Sequence, residues 1–274
     1  MDIHDAIEIV SQTNPGMVRS HNEDSVAYDA DIGLVVLADG MGGYNAGEVA
    51  SGIAVSVLSS EVRHHLEAAR PEDLDAAGEE LGVALLHDNV KKANLSIFRA
   101  AQSQPQYAGM GTTIVTALFY DDRVAVAHVG DSRMYRLRGE IFETITRDHS
   151  LLQEQIDSGM ISKDDARLSK NKNLVTRAVG IDADVEPELH VHAVQVGDIY
   201  LLCSDGLNDM VEDEDIGATL QMLQNNLPLA ATQLIQLAND NGGRDNVSVI
   251  LVKVKGRFAA PRGLWAKLRS WFGN

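Results

Sequence analysis

Apolar and polar positions along the chain alternate between strand-like and helix-like textures. Short apolar runs come first, at residues 6–10, 25–28 and 33–38, each long enough for one strand. Over 46–68 the period lengthens, and Val49, Ile53, Val57 and Leu58 fall on one helical face. A second helical stretch near 75–103 carries Leu81, Leu85, Val90 and Ile97. Strand texture returns at 112–119, 123–129, 134–138 and 141–146, with Asp121-Asp122 and Arg138-Gly139 separating neighbours at hairpin distance. A polar, helix-prone insert fills 150–175. Strands at 189–195 and 198–203, helices at 212–224 and 228–240, and a last strand at 247–254 close the body. Hairpin strands with helices gathered in pairs predict an α+β fold, in which helices cover antiparallel sheets.

Composition narrows the class of protein. The 45% of hydrophobic residues suits a globular chain, and 274 residues suit one large domain or two small ones. No apolar run approaches the ~18 residues of a membrane span. The acidic start, Met1-Asp2-Ile3-His4-Asp5, lacks the basic-then-apolar order of a signal peptide. A single cysteine, Cys203, rules out an internal disulfide framework. A cytoplasmic location and a monomer are the expectations.

Net charge is −17, which argues against a nucleic-acid partner. That charge is unevenly divided. Residues 257–274 hold Arg257, Arg262, Lys267 and Arg269 and no acid, so 19 bases face 40 acids in the remainder, a net −21. In the tail, Leu264, Trp265, Leu268, Trp271 and Phe272 share one helical face behind Pro261. Two readings of this tail stay open: it docks on the acidic body, or it makes a peripheral contact with an anionic membrane or a partner protein.

The informative chemistry lies in where aspartates fall. Asp39 follows the run 33–38, Asp131 follows 123–129, Asp205 follows the strand ending at Cys203, and Asp245 precedes the last strand. Glycines stand beside them, in Asp39-Gly40, Gly130-Asp131 and Asp205-Gly206. Carboxylates at the ends of buried strands converge if those ends lie together, and cations relieve their repulsion. Oxygen-only ligands favour Mg²⁺ or Mn²⁺ over zinc. Near the start, Arg19 stands in Arg19-Ser20-His21-Asn22-Glu23-Asp24, and its planar fork suits phosphate. A lone Asp-Gly pair is usually only a turn; four aspartates in this pattern reverse that reading.

On these residues the chain resembles the type 2C metal-dependent serine/threonine protein phosphatases in their bacterial form. The pieces, in order, are Arg19-x-x-Asn22-Glu23-Asp24, Asp39-Gly40-Met41-Gly42-Gly43 and Gly111-Thr112-Thr113. They continue with Gly130-Asp131-Ser132-Arg133, Asp148-His149-Ser150, Thr176-Arg177-Ala178-Val179-Gly180, Ser204-Asp205-Gly206 and Arg244-Asp245-Asn246. The resemblance implies a four-layer α-β-β-α sandwich over residues 1–256, with a flap at about 150–175 and the basic tail beyond. It implies that Asp39 bridges two metals, that the Gly40 carbonyl serves one of them, and that Asp205 and Asp245 complete the other's ligands. Asp131 would share a third, weaker metal with Asp205, Glu23 and Asp24 would act mainly through water, and Arg19 would grip the substrate phosphate. The ions implied are Mn²⁺ or Mg²⁺, the substrates phosphoserine and phosphothreonine on proteins, and the counterpart a serine/threonine kinase in bacterial signalling.

Two positions depart from the pattern. Met41 stands where some relatives carry a histidine taken as general acid, and Leu168-Ser169-Lys170-Asn171 stands where a His-Pro pair is expected in the flap. Other chemistries fit less well. Cys203 has Asp209, not arginine, six residues on, and reads as a core residue. Asp148-His149-Ser150 is triad-like only in order, because sequence neighbours point apart. His64 and His65 read as surface residues. The remaining competitor is a non-catalytic relative that binds phosphoproteins or senses a ligand.

Overall fold

The computed structural model describes residues 1–43, 46–75, 77–162 and 174–260. Helix α1 (Ile3–Ala6) leads into β1 (Ile7–Asn14), β2 (Asp24–Asp29) and β3 (Leu34–Met41). Two long helices follow, α2 (Ala46–Leu66) and α3 (Leu81–Ser103). Next come β4 (Gly111–Thr112), β5 (Ile114–Tyr120), β6 (Arg123–Val129), β7 (Arg133–Arg138) and β8 (Ile141–Thr144). Helix α4 (Leu151–Asp157) precedes β9 (Glu188–Ala193) and β10 (Ile199–Cys203). Helices α5 (Asp205–Asn208), α6 (Asp213–Leu223) and α7 (Leu227–Asp240) lead to β11 (Val247–Val254).

The strands pair antiparallel into two sheets. One runs β1-β11-β10-β7-β8; the other runs β2-β3-β5-β6-β9, with β4 pairing β3 beside that path. Three apolar layers hold them. Leu34, Val36 and Ala38 of β3 face α2 and α3, while Val35 and Leu37 face the opposite sheet. In β10, Leu201 and Cys203 face the other helices while Tyr200 and Leu202 meet the partner sheet. Strands buried on both sides read as unbroken apolar runs, which is why β3, β5 and β10 stand out in the sequence. The result is the α-β-β-α sandwich that the resemblance implied. No helix among the described residues is long and apolar enough to cross a membrane.

Several boundaries differ from the sequence reading, each with a local cause. Helix α3 begins at Leu81, not near 75, because the Asp75 side chain accepts the Ala77 and Glu79 N–H groups at 2.8 and 2.9 Å and closes a turn. Strand β1 runs to Asn14, four residues beyond the apolar run, since its ladder with β11 continues through polar positions. Helix α2 turns a face of small residues inward, Ala46, Gly47, Ala50, Ser51 and Ala54, so Val49, Ile53 and Val57 are only half-buried. Asp121 and Asp122 form the two-residue β5–β6 turn at φ of 48° and 53°. Of the insert at 150–175, residues 163–173 lie outside the described residues, and so do the Leu168–Asn171 departure and tail residues 261–274.

The body continues a little past β11. Phe258 is buried in the core between the sheets. Its N–H donates to Asp122 Oδ1 at 2.7 Å, the Ala260 N–H donates to Asp121 Oδ1 at 2.9 Å, and Arg257 Nε donates to Asp122 Oδ2 at 2.9 Å.

At the start of β10, Asp198 is 1% exposed and accepts from Arg138 at 2.8 and 2.7 Å, from the Gln195 N–H at 2.8 Å and from the Tyr200 hydroxyl at 3.2 Å. Removing one partner of a buried pair costs about 3–5 kcal/mol, and Arg138 keeps some water, so Asp198→Ala should cost about 2–3 kcal/mol. Urea unfolding should show a lower midpoint with an unchanged slope. An unchanged midpoint would contradict this reading.

Candidate metal and active site

The site forms where the two sheets meet at one end. Asp24 opens β2 and lies directly opposite Asp39 of β3 in the antiparallel register. Asp205 begins α5 immediately after β10, and Asp245 comes just before β11, the strand that pairs with β10. Asp131 sits in the turn between β6 and β7, which is where the chain passes from one sheet to the other. The topology thus gathers at one edge the carboxylates that the sequence scatters over two hundred residues.

Neighbouring backbone is clamped around them. The Asp39 N–H donates to Thr113 Oγ1 at 3.1 Å, and its carbonyl accepts from the Thr112 hydroxyl and the Thr113 N–H, both at 2.8 Å. That explains Gly111-Thr112-Thr113: the motif breaks β4 from β5 to hold Asp39. Gly40 donates to the Glu23 carbonyl at 3.1 Å, and a Cβ on it would stand 2.6 Å from that same oxygen and overlap the Gly47 carbonyl. Asn246 ties three segments together. Its Oδ1 accepts the Glu23 N–H at 2.7 Å, while its Nδ2 donates to the Pro15 and His21 carbonyls at 3.0 and 2.9 Å.

The electrostatics are those of acids crowded without compensation. Burial, then the carboxylates of Asp24, Asp205, Asp131 and Asp245, push the Asp39 carboxyl well above the usual range. Burial followed by Asp131, Asp209, Asp245 and Asp24 does the same to Asp205. Burial raises Asp24 to about 6, with the nearby Ser248 and Ser204 hydroxyls acting in the opposite direction. It also raises Asp131 to about 6, with Asp148 adding to the effect. Glu23 is raised by burial and drawn back down by Arg19. Arg19 lies at the rim and donates to Asp245 Oδ2 at 2.5 Å, a contact that raises its own pKa.

The donor set suits hard divalent cations. The gathered aspartates offer only oxygen, and Asp24 Oδ1 is buried with no hydrogen-bond partner. An oxygen left unsatisfied in the interior is costly unless something positive or protic reaches it.

Comparison with known proteins agrees with this geometry. The family described as Protein phosphatase 2C matches residues 18–240. The chain belongs to the protein phosphatase 2C family. The serine/threonine phosphatase stp of Listeria innocua is 37% identical over 245 residues, 88% of this chain and 94% of that protein. The crystal structure of the serine/threonine phosphatase PstP/Ppp of Mycobacterium tuberculosis superposes with a TM-score of 0.81 at 38% identity, covering 91% of this chain and 99% of that one. A structure of the PstP catalytic domain in complex with 2 manganese ions has a TM-score of 0.79 at 37% identity, over 91% of this chain and 99% of that one. Protein phosphatase 2C enzymes are metal-dependent, and the oxygen donors here fit that chemistry.

All the residues singled out from the sequence, Arg19, Glu23, Asp24, Asp39, Gly40, Asp131, Asp205 and Asp245, come to this one region. Sequence reasoning missed Asp209, which acts on both Asp131 and Asp205 from one turn beyond Asp205. It also missed the tethering work of Asn246, Ser204 and Thr113, whose partners are far away in the chain. Ser204 Oγ donates to Asp24 Oδ2 at 2.8 Å. The triad-like run separates as expected: Asp148 pairs with Arg133 at 2.8 and 2.7 Å, and Ser150 caps α4. Cys203 is buried, and burial pushes its thiol up, far from a nucleophile's range. His64 and His65 are exposed.

Three substitutions test the tethering. Asn246→Ala should cost about 1–3 kcal/mol, since it abandons partly buried backbone groups, and should lower turnover through the loosened Glu23. Asn246→Asp should be at least as damaging, because a carboxylate would face two carbonyls. Gly40→Ala should also destabilise by about 1–3 kcal/mol. Thermal unfolding of all three reads the outcome, and wild-type stability in Asn246→Asp would refute the assignment.

Proposed function

We propose that the chain hydrolyses phosphoserine and phosphothreonine on proteins, in opposition to a serine/threonine kinase of bacterial signalling. The observation that carries this reading is the gathering of Asp39, Asp205, Asp245, Asp131 and Asp24 at one sheet edge, in a chain of the protein phosphatase 2C family. Asp39 with the Gly40 carbonyl, and Asp205 with Asp245, would hold two divalent ions, Mn²⁺ or Mg²⁺. Asp131, with Asp205, would hold a third and weaker one. Glu23 and Asp24 would act through water.

When bound, such ions activate a water for in-line attack and draw charge from the phosphoryl oxygens. The protein's own residues supply the rest. Arg19 offers its fork to the phosphate, which competes with Asp245 for the same guanidinium. Thr112 and Thr113 fix the Asp39 backbone, and Ser204 orients the Asp24 carboxylate. Met41, at the position after Gly40, carries no dissociable proton, so the proton for the leaving alkoxide is proposed to come from a water held at the metal site and not from that side chain. The resident acids repel a phosphoprotein until cations offset them.

The protein is proposed to act as a monomeric catalytic domain that extends past the 1–256 expected from the sequence to about residue 260, since Phe258 packs in the core and the Ala260 N–H donates to Asp121. Purified protein should cleave phosphoserine or phosphothreonine peptides with Mn²⁺ or Mg²⁺ and lose that activity in EDTA; full activity after thorough chelation would contradict the proposal. Asp39→Asn, Asp205→Asn and Asp245→Asn should each lower turnover by more than about a hundredfold. Arg19→Ala should chiefly raise KM, roughly tenfold. Asp131→Ala should lower turnover yet keep two tightly bound ions in calorimetry, and loss of both would refute its assignment.

The basic tail is proposed to bind an anionic surface. Its sequence carries both tryptophans, Trp265 and Trp271, so intrinsic tryptophan emission reports on it alone. Anionic vesicles at low salt should shift that emission to the blue, and salt should reduce the shift. Emission that is already blue and insensitive to vesicles would mean that the tail packs on the acidic body instead.

A further inference from the structure

Behind Asp131 lies a group of imidazoles that the proposed chemistry leaves unused. His128 of β6 faces Glu188 of β9 across the ladder. The His128 and His149 rings stack at 4.8 Å between centroids and 18° between planes. Glu188 reaches His149 Nε2 at 3.3 Å and His190 Nε2 at 2.8 Å. Ligand atoms of His128, His149 and Glu188 all lie within 4.8 Å of one another, which suggests a metal site. Two features argue otherwise. Nearly parallel rings direct their lone pairs side by side and not to a common point. The His149 Nδ1 lone pair is also taken, because the Gly130 N–H donates to it at 3.1 Å. A neutral imidazole carries one hydrogen, so accepting at Nδ1 places it on Nε2, facing the Glu188 carboxylate. Nε2 then has no lone pair to offer a cation.

The same contacts describe a clamp. The His149 N–H donates to the Gly130 carbonyl at 2.9 Å, while its ring accepts the Gly130 N–H, so one residue holds both backbone groups of another. Gly130 sits at φ +108°, and a Cβ there would stand 2.6 Å from the Thr113 side chain. Next in the chain is Asp131. Burial and the Arg177 guanidinium lower the pKa of His149. Burial pushes His128 down to about 4, and its Nε2–H donates to the Arg147 carbonyl at 2.8 Å, so it offers His149 a neutral ring face.

We infer that His149, held in its Nε2–H tautomer by Glu188, is a positioning residue that sets the Gly130 backbone and thereby aims the Asp131 carboxylate. The consequence for metal binding rests on the reading of Asp131 given above; the clamp does not. In the Mg²⁺-loaded protein, whose ion is diamagnetic, two-bond proton–nitrogen NMR correlations read the tautomer of each histidine. His149 should be protonated on Nε2 only, and the Gly130 amide should exchange slowly. His149→Asn keeps an acceptor at the δ position, whereas His149→Gln moves it one bond farther. The asparagine variant should keep the Gly130 amide protected and the weakest ion-binding event within about threefold of wild type. The glutamine variant should lose that protection and weaken the event about tenfold, with the tighter events unchanged. An Nδ1–H tautomer in wild type, or equal Gly130 protection in the glutamine variant, overturns the inference. Should His149→Gln not fold, the wild-type tautomer and the asparagine variant decide it. Asp131→Ala in parallel separates the two readings: if the weak event survives there, the role given to Asp131 fails while tautomer and amide exchange still judge the clamp.

Discussion

The mutual repulsion of carboxylates at one edge of the sandwich is the constraint on which the rest of the structure depends. Asp39 is pushed well above its ordinary pKa by burial and then by four other aspartates, and Asp205 by burial and then by another overlapping set of four. A fold that brings such groups together loses stability by doing so. It can keep them only if surrounding packing holds them in place or if cations bind among them. Both conditions leave marks here. The clamps on Asp39, Gly40 and Gly130 are backbone contacts that a flexible loop would lack, and the unpartnered Asp24 Oδ1 is an acceptor without a donor.

The scaffold supplies this rigidity because its strands are buried on both faces. Strand β3 places Leu34, Val36 and Ala38 under α2 and α3, and Val35 and Leu37 against the other sheet, before it delivers Asp39 to the edge. Strand β10 does the same for Asp205. Packing on both sides fixes where a strand ends, and a carboxylate at that end inherits the precision. Helix α2 contributes by its small inward face, which lets Gly47 approach Gly40 and Glu23 so closely that no side chain fits at either glycine. Stability and site geometry are therefore one problem at this edge, consistent with rigid elements being the better supports for a functional constellation.

Much of this was legible in the sequence, and the remainder was hidden for physical reasons. The unbroken apolar runs of β3 and β10 announced buried strands, and the last strand, 247–254, matches its observed bounds. The aspartates were visible because each stands within two residues of the end of such a run. The start of α3 was misplaced because the Asp75 turn depends on which N–H groups its side chain captures, a matter of conformation more than of composition. On α2, Leu58 is buried as its spacing implies, but Val49, Ile53 and Val57 only flank the core, because periodicity weighs large apolar residues whereas close packing selected Ala50, Ser51 and Ala54. Asp209, Asn246 and His149 act through partners brought near by the fold, and pattern along the chain holds no trace of such contacts. The triad-like Asp148-His149-Ser150 is the reverse case, a suggestive run whose members serve three separate partners.

The central claim is that the edge carboxylates gather in order to hold cations. It is tested most directly by anomalous diffraction from crystals of the full chain grown with Mn²⁺, which locates each ion without reference to activity. The account predicts strong manganese peaks in contact with Asp39 and with Asp205 and Asp245, and a weaker one beside Asp131. Peaks absent from those aspartates, or found instead between His128, His149 and Glu188, would contradict it.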